Sequence, residues 1–189
     1  MLRQANNNVR IEGILSEVDV REITYTNRAG NKIDGLRGQV KVKVKQKISG
    51  ELKDLNIPVH VFAGKYTNAG KTNPAYESIK RLMTDFTSIA AAGNEEDADC
   101  VRVTGASIRA NDYFAADGRF ISYPRINGSF FRKIRKDELE PEASFQVEFV
   151  VDQKNDELNS EGIPTGRYEI SGIIPQYGGT VDKVKFIAE

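Results

Sequence analysis

Three valines alternate with four lysines in Val40-Lys41-Val42-Lys43-Val44-Lys45-Gln46-Lys47. Only an extended strand gives that pattern a structural meaning, because successive side chains on a strand point to opposite faces. One face of this strand is apolar and must cover a core, while the other is cationic. Lysines on an outer face keep an exposed strand from pairing with other chains, and they also form a regular row of positive charge.

The chain of 189 residues, 39% of them apolar, is long enough for one large domain or one ordinary domain with an appendage. No apolar run approaches a membrane span, and the N-terminal Met1-Leu2-Arg3-Gln4-Ala5-Asn6-Asn7-Asn8 lacks the apolar stretch of a signal peptide. A cytoplasmic protein without membrane contact is expected. The single cysteine, Cys100, leaves no internal disulfide, and with His60 as the one histidine there is no zinc-type ligand cluster. Net charge is zero, but the average hides a division. Residues 1–136 carry 23 Lys or Arg against 15 Asp or Glu, a net of +8; residues 137–189 carry 4 against 12, a net of −8. A basic body therefore precedes an acidic segment, and a boundary is expected near 136/137. Within the body Glu95, Glu96, Asp97 and Asp99 fall in one loop, so the remaining positive charge is expected to act as a field.

Strand patterning over 9–20 and turn chemistry over 26–32 lead into the lysine strand as a long hairpin. A third strand is expected over 57–62. Pro74 suits a first helical turn, and Ile79, Leu82, Met83, Phe86, Ile89 and Ala90 recur at helical spacing until Gly93. Two further strands, 101–108 and 119–123, flank a tip with Asp117-Gly118. Three strands, a helix and two strands follow the order of the five-stranded OB barrel with its helix between strands three and four. Gly13 and Gly105 lie inside the first and fourth strands, where a small barrel bends sharply. After the barrel, strands over 145–151, 168–174 and 181–187 make a β-rich acidic extension, packed on the barrel or forming a reduced second one. In the first of these, Phe145, Val147, Phe149 and Val151 are expected on one face.

Val59-His60-Val61-Phe62-Ala63-Gly64-Lys65, then the helix, then Val101-Arg102-Val103-Thr104-Gly105-Ala106-Ser107-Ile108-Arg109 and a hairpin ending Asp117-Gly118-Arg119-Phe120 resemble bacterial and bacteriophage single-stranded DNA-binding proteins of the OB type. The resemblance spans residues 9–125. It implies that Phe62, with Tyr113 or Phe114 on the hairpin, stacks on bases and that Arg109 contacts phosphate. It also implies single-stranded DNA as partner, together with replication or recombination proteins, and no catalysis. The chain departs from the pattern in having no tryptophan, an extra Ala63 after Phe62 and no acidic, aromatic-tipped tail.

Sequence-tolerant binding of a single strand needs cations that track phosphates and flat rings on which bases stack. Candidate cations are Lys41, Lys43, Lys45, Arg37, Arg28, Lys32, Arg109 and Arg125; candidate rings are Tyr25, Phe62, Tyr113, Phe114, Phe120 and Tyr123. Lysines two residues apart stand roughly 6.6 Å from each other, about twice the 3.4 Å per-nucleotide rise of a duplex strand, a pitch that a stretched single strand matches. The reading needs no cofactor and leaves a homo-oligomer open. Its alternative is a non-catalytic β module of a larger assembly. A third reading, nucleotide hydrolysis, starts from Gly64-Lys65-Tyr66-Thr67-Asn68-Ala69-Gly70-Lys71-Thr72 and a strand ending in Asp152, but five residues separate those glycines where a P-loop has four. Asn73-Pro74 also starts the helix beyond Lys71, where its amides cannot face a phosphate at the loop.

Overall fold

The lysine strand folds as its alternation requires. In the computed structural model, which describes residues 3–27, 30–48, 50–67 and 69–189, β1 (Asn7–Thr26), β2 (Lys32–Ile48) and β3 (Glu51–Gly64) make an antiparallel meander. Val40, Val42 and Val44 are fully buried, as is Val59 opposite Val40 on β3. Gly50, at φ 87°, takes the left-handed backbone of the β2–β3 turn, so β3 begins six residues earlier than its apolar stretch predicts.

Pro74–Asp85 forms helix α1, capped by Asn73, whose side chain accepts from the Ala75 amide at 3.0 Å. Its apolar face buries Tyr76, Ile79 and Leu82. The helical pattern continues to Gly93, but the helix does not. Phe86 is extended, and Thr87 exchanges hydrogen bonds with Asp99, its amide donating to the carboxylate at 2.8 Å and its carbonyl accepting from the Asp99 amide at 2.9 Å. These bonds end α1, and Ser88 caps a separate short helix, α2 (Ile89–Ala92).

β4 (Cys100–Phe114) and β5 (Phe120–Asn127) follow, then β6 (Phe130–Ile134). The basic stretch after residue 125 is thus a strand that pairs with β4, Arg132 opposite Arg102. β1 pairs with β4 from Val9 to Ile14, and β3 pairs in parallel with β5 at Val59–Ile126 and His60–Asn127. The order β1-β2-β3-β5-β4 returns to β1, the closed ring of an OB-like barrel with its helical segment between β3 and β4. Gly13 lies where β1 pairs with both β2 and β4, and a Cβ there would stand 2.2 Å from the Lys43 carbonyl oxygen. Gly105 adopts φ 65° beneath the Phe130 ring.

The strand expected over 145–151 is two strands, β7 (Glu142–Val147), which pairs with β1, and β8 (Val150–Leu158). Between them the Glu148 amide donates to Asn6 and its carboxylate accepts the Asn6 amide at 2.9 Å, so the four aromatic and valine positions do not share one continuous face. β8, β9 (Pro164–Pro175) and β10 (Val181–Ala188) make a three-stranded antiparallel sheet.

The chain divides into two compact units. One comprises Val9–Ser107 and Ile126–Phe145 and contains the valine core. The other comprises Met1–Asn8, Ile108–Arg125 and Gln146–Glu189, with Ile108, Ile174 and Val184 buried and Phe149 edge-on to Phe186 at 5.3 Å. Among the described residues no helix is long and apolar enough to cross a membrane.

In the first unit Gly128 donates its amide to the His60 carbonyl at 2.9 Å, and a Cβ there would meet Val59 Cγ1 at 2.6 Å and Val103 Cγ1 at 3.1 Å. Gly128→Ala is expected to destabilise the protein by about 1–3 kcal/mol through overpacking at the barrel seam, as measured by urea unfolding. Glu12, 6% exposed, accepts from Arg102 at 2.5 Å and from the Glu140 amide at 2.9 Å. The Arg102 bond holds its carboxyl below the ordinary 4.5. A depressed carboxylate stabilises the fold above its unfolded value, and that contribution is lost as pH falls through the folded value. Glu12→Gln should therefore lower the melting temperature most near neutral pH and converge on the parent protein in acid, as followed by thermal unfolding across pH.

Candidate nucleic-acid interface

The outer face of β1, β2 and β3 is built in rows, because directly paired residues on neighbouring strands point the same way. With Val40 inward, Arg37 points outward, and its partners are Arg21 on β1 and Phe62 on β3. Phe62 is 53% exposed, and Arg21 and Arg37 are both exposed. Neither arginine has an ion-pair partner among the described residues. Tyr25 meets Phe62 edge-on, ring centroids 5.1 Å apart at 63°. A Cβ on Gly64 would stand 2.3 Å from the Tyr25 hydroxyl and one on Gly35 would stand 3.1 Å from its ring. The two glycines, paired across β2 and β3, form the floor on which the tyrosine lies. This end of the face therefore combines an exposed ring, a ring fixed against it and two uncompensated guanidinium groups.

Further along the same face the lysine row has a different electrostatic character. Lys41 donates to Glu17 on β1 at 2.6 Å. Lys43 pairs with Asp54 on β3 at 3.2 Å and with Glu95 at 2.6 Å, and Lys45 donates to the other oxygen of Glu95 at 3.0 Å. Hydrogen bonds that Lys43 donates to Glu95 and Asp54 raise the pKa of its ammonium above the ordinary lysine value, and the two lysines hold the Glu95 carboxyl below its own. The acidic loop that sequence reading sets aside as a local feature thus sends Glu95 onto the lysines.

Lys32 is exposed at the start of β2, opposite Thr26, and Arg28 lies outside the described residues. Arg21 was not singled out by sequence reading. The period-two set Arg21, Ile23 and Tyr25 carries a signal for it, but its register against Arg37 does not appear in the sequence.

In the other unit, four rings line the two arms of the β4–β5 hairpin. Tyr113 meets Tyr123 edge-on at 6.3 Å, and Phe114 meets Phe120 at 5.4 Å. All four are exposed, Phe114 most at 74%. Asp117 fastens the tip, accepting from the Arg119 guanidinium at 2.6 Å and its amide at 3.1 Å. Arg109 is held by Asp182 at 2.9 Å and Gln176 at 2.6 Å, and Arg125 donates to Asn111 at 2.5 Å.

The glycine loop before α1 closes on itself. Tyr66 bridges Thr72, the Thr67 amide donates to Lys71 and the Gly70 amide to Thr67, while the Asn73 amide donates to Lys65. Those amides are consumed by the loop's own carbonyls, unlike the free amides of a phosphate cradle.

A wild-type single-stranded DNA binding protein from Thermus aquaticus is structurally similar at a TM-score of 0.52 and 9% identity, over 98% of this chain and 74% of that one. A deletion mutant of the Thermus aquaticus protein aligns at 12% identity and a TM-score of 0.41, over 97% and 74% of the two chains. At such identities the likeness is one of fold, and the wild-type comparison agrees with the OB-like barrel. No curated protein matches the chain in sequence. The family model described as YorF matches residues 5–189, nearly the whole sequence, and the chain belongs to the YorF family.

Proposed function

We propose that this protein binds single-stranded DNA without preference for sequence and without catalysis. The observation that carries the reading is the Arg21–Arg37–Phe62 row with Tyr25 set against Phe62. An exposed ring offers every base a stacking surface, and two guanidinium groups without a carboxylate partner among the described residues offer phosphate contacts beside it. The OB-like fold is compatible with this use and does not by itself establish it. The hairpin rings Tyr113, Phe114, Phe120 and Tyr123 supply further stacking positions on the other unit. Such a protein would cover strands exposed during DNA replication or recombination in the cytoplasm and meet proteins of those processes there.

Titration of oligo-dT and of a matched duplex at several salt concentrations tests the proposal. Tighter binding of the single strand is expected, and equal affinity for the two, or none for either, would refute it. Phe62→Ala is expected to weaken oligo-dT binding by about 1–3 kcal/mol, the worth of one stacked base, with the melting temperature nearly unchanged because the ring is half exposed. Arg21→Ala and Arg37→Ala should each weaken binding to all sequences alike. Each should also flatten the log affinity–log salt slope by about 0.7, the value for one phosphate contact on a single strand.

A further inference from the structure

We infer that Glu95 sets how far a nucleic-acid strand extends along the outer face of the barrel, because it already occupies the two lysines that would receive the strand's next phosphates. The inference rests on the single-strand reading above and adds a residue that limits the site. One carboxylate serves both ammonium groups, Oε1 accepting from Lys43 at 2.6 Å and Oε2 from Lys45 at 3.0 Å. A phosphodiester presents the same chemistry, one negative charge spread over two free oxygens. The carboxylate reaches the ladder from the loop between α2 and β4, about fifty residues away in sequence. That loop is shaped by Asn94, whose side chain accepts from the Asp97 amide at 2.8 Å and donates to the Asp97 carboxylate at 2.9 Å.

The consequence lies in counterions. A lysine that meets a phosphate contributes to the salt dependence of binding because salt ions leave the interface as it forms. Lys43 and Lys45 have a counterion that belongs to the protein, so a phosphate reaching them displaces Glu95 and little salt. Lys41 is compensated in the same way by Glu17, and Lys43 additionally by Asp54. Three carboxylates thus oppose three lysines, whereas Arg21 and Arg37 have none among the described residues. A strand lying across the arginine row meets uncompensated charge there and a locally neutral surface beyond it. Exposed ion pairs of this kind are individually weak, so the limit is graded and a single substitution can move it.

The test uses the full chain and oligo-dT of increasing length at several salt concentrations. Glu95→Gln is expected to steepen the log affinity–log salt slope by about 0.7–1.4, one or two added phosphate contacts, and to lengthen the shortest oligonucleotide that binds fully. Adding Lys43→Ala and Lys45→Ala to Glu95→Gln should return both readouts to those of the parent protein. Glu96→Gln removes the same charge next door, from an exposed residue without an ion pair among the described residues, and should leave the slope unchanged. If the parent protein binds oligo-dT and Glu95→Gln leaves its slope unaltered, the role of Glu95 is overturned and the single-strand reading stands. Steepening that survives loss of both lysines, or that Glu96→Gln reproduces, overturns it equally. If no variant binds oligo-dT at any salt, both readings fall.

Discussion

Closure of the ring is the constraint on which the rest of this fold depends. The meander of β1, β2 and β3 alone would leave two open edges, and its valine face would have nothing to pack against. Two short junctions remove that exposure: β1 pairs with β4 over Val9–Ile14, and β3 meets β5 at the Val59–Ile126 and His60–Asn127 pairs. At the second junction Gly128 lets the backbone come close enough to donate to His60 while Val59 and Val103 fill the space a side chain would need. β6 then continues along β4, so the basic stretch after residue 125 becomes a sheet edge.

The closed meander also decides the electrostatics of its outer face. Pairing places the residues of β1 and β3 beside those of β2 in fixed rows, and the composition of each row sets its charge. Rows around Lys41 to Lys45 bring in Glu17 and Asp54, and the loop after α2 adds Glu95. The row at Arg37 brings in Arg21 and Phe62. The outer face of one strand therefore carries a neutralised stretch from Lys41 to Lys45 and, at Arg37, a cation without an ion-pair partner among the described residues. The zero net charge of the chain conceals this arrangement, as it conceals the opposite signs of its two ends.

Much of the barrel was legible because its elements are encoded locally. Val40 to Lys47 alternates at period two, Pro74 and the Ile79–Leu82 spacing mark a helix, and Asp117-Gly118 marks a turn. The order of those elements suffices for an OB-like fold. Structure departs from local pattern where long-range contacts override it. The helix stops at Asp85 because Asp99 binds Thr87, although apolar spacing continues beyond it. The strand over 145–151 breaks where Asn6 binds Glu148, although its alternation is uninterrupted.

The sequence by itself determined which residues of the lysine strand face the core and which face outward, because that follows from the geometry of a single extended chain. It also determined the kinds of side chain available outside, cations and rings. Only the tertiary structure decided their neighbours. Register places Arg21 and Phe62 beside Arg37 and two glycines under Tyr25, and the loop after α2 places Glu95 between Lys43 and Lys45. Each of these contacts joins residues from different elements, and the energy of a charge depends on the charges within a few ångströms of it. The alternation made a cationic ladder, and the fold selected which of its rungs remain uncompensated.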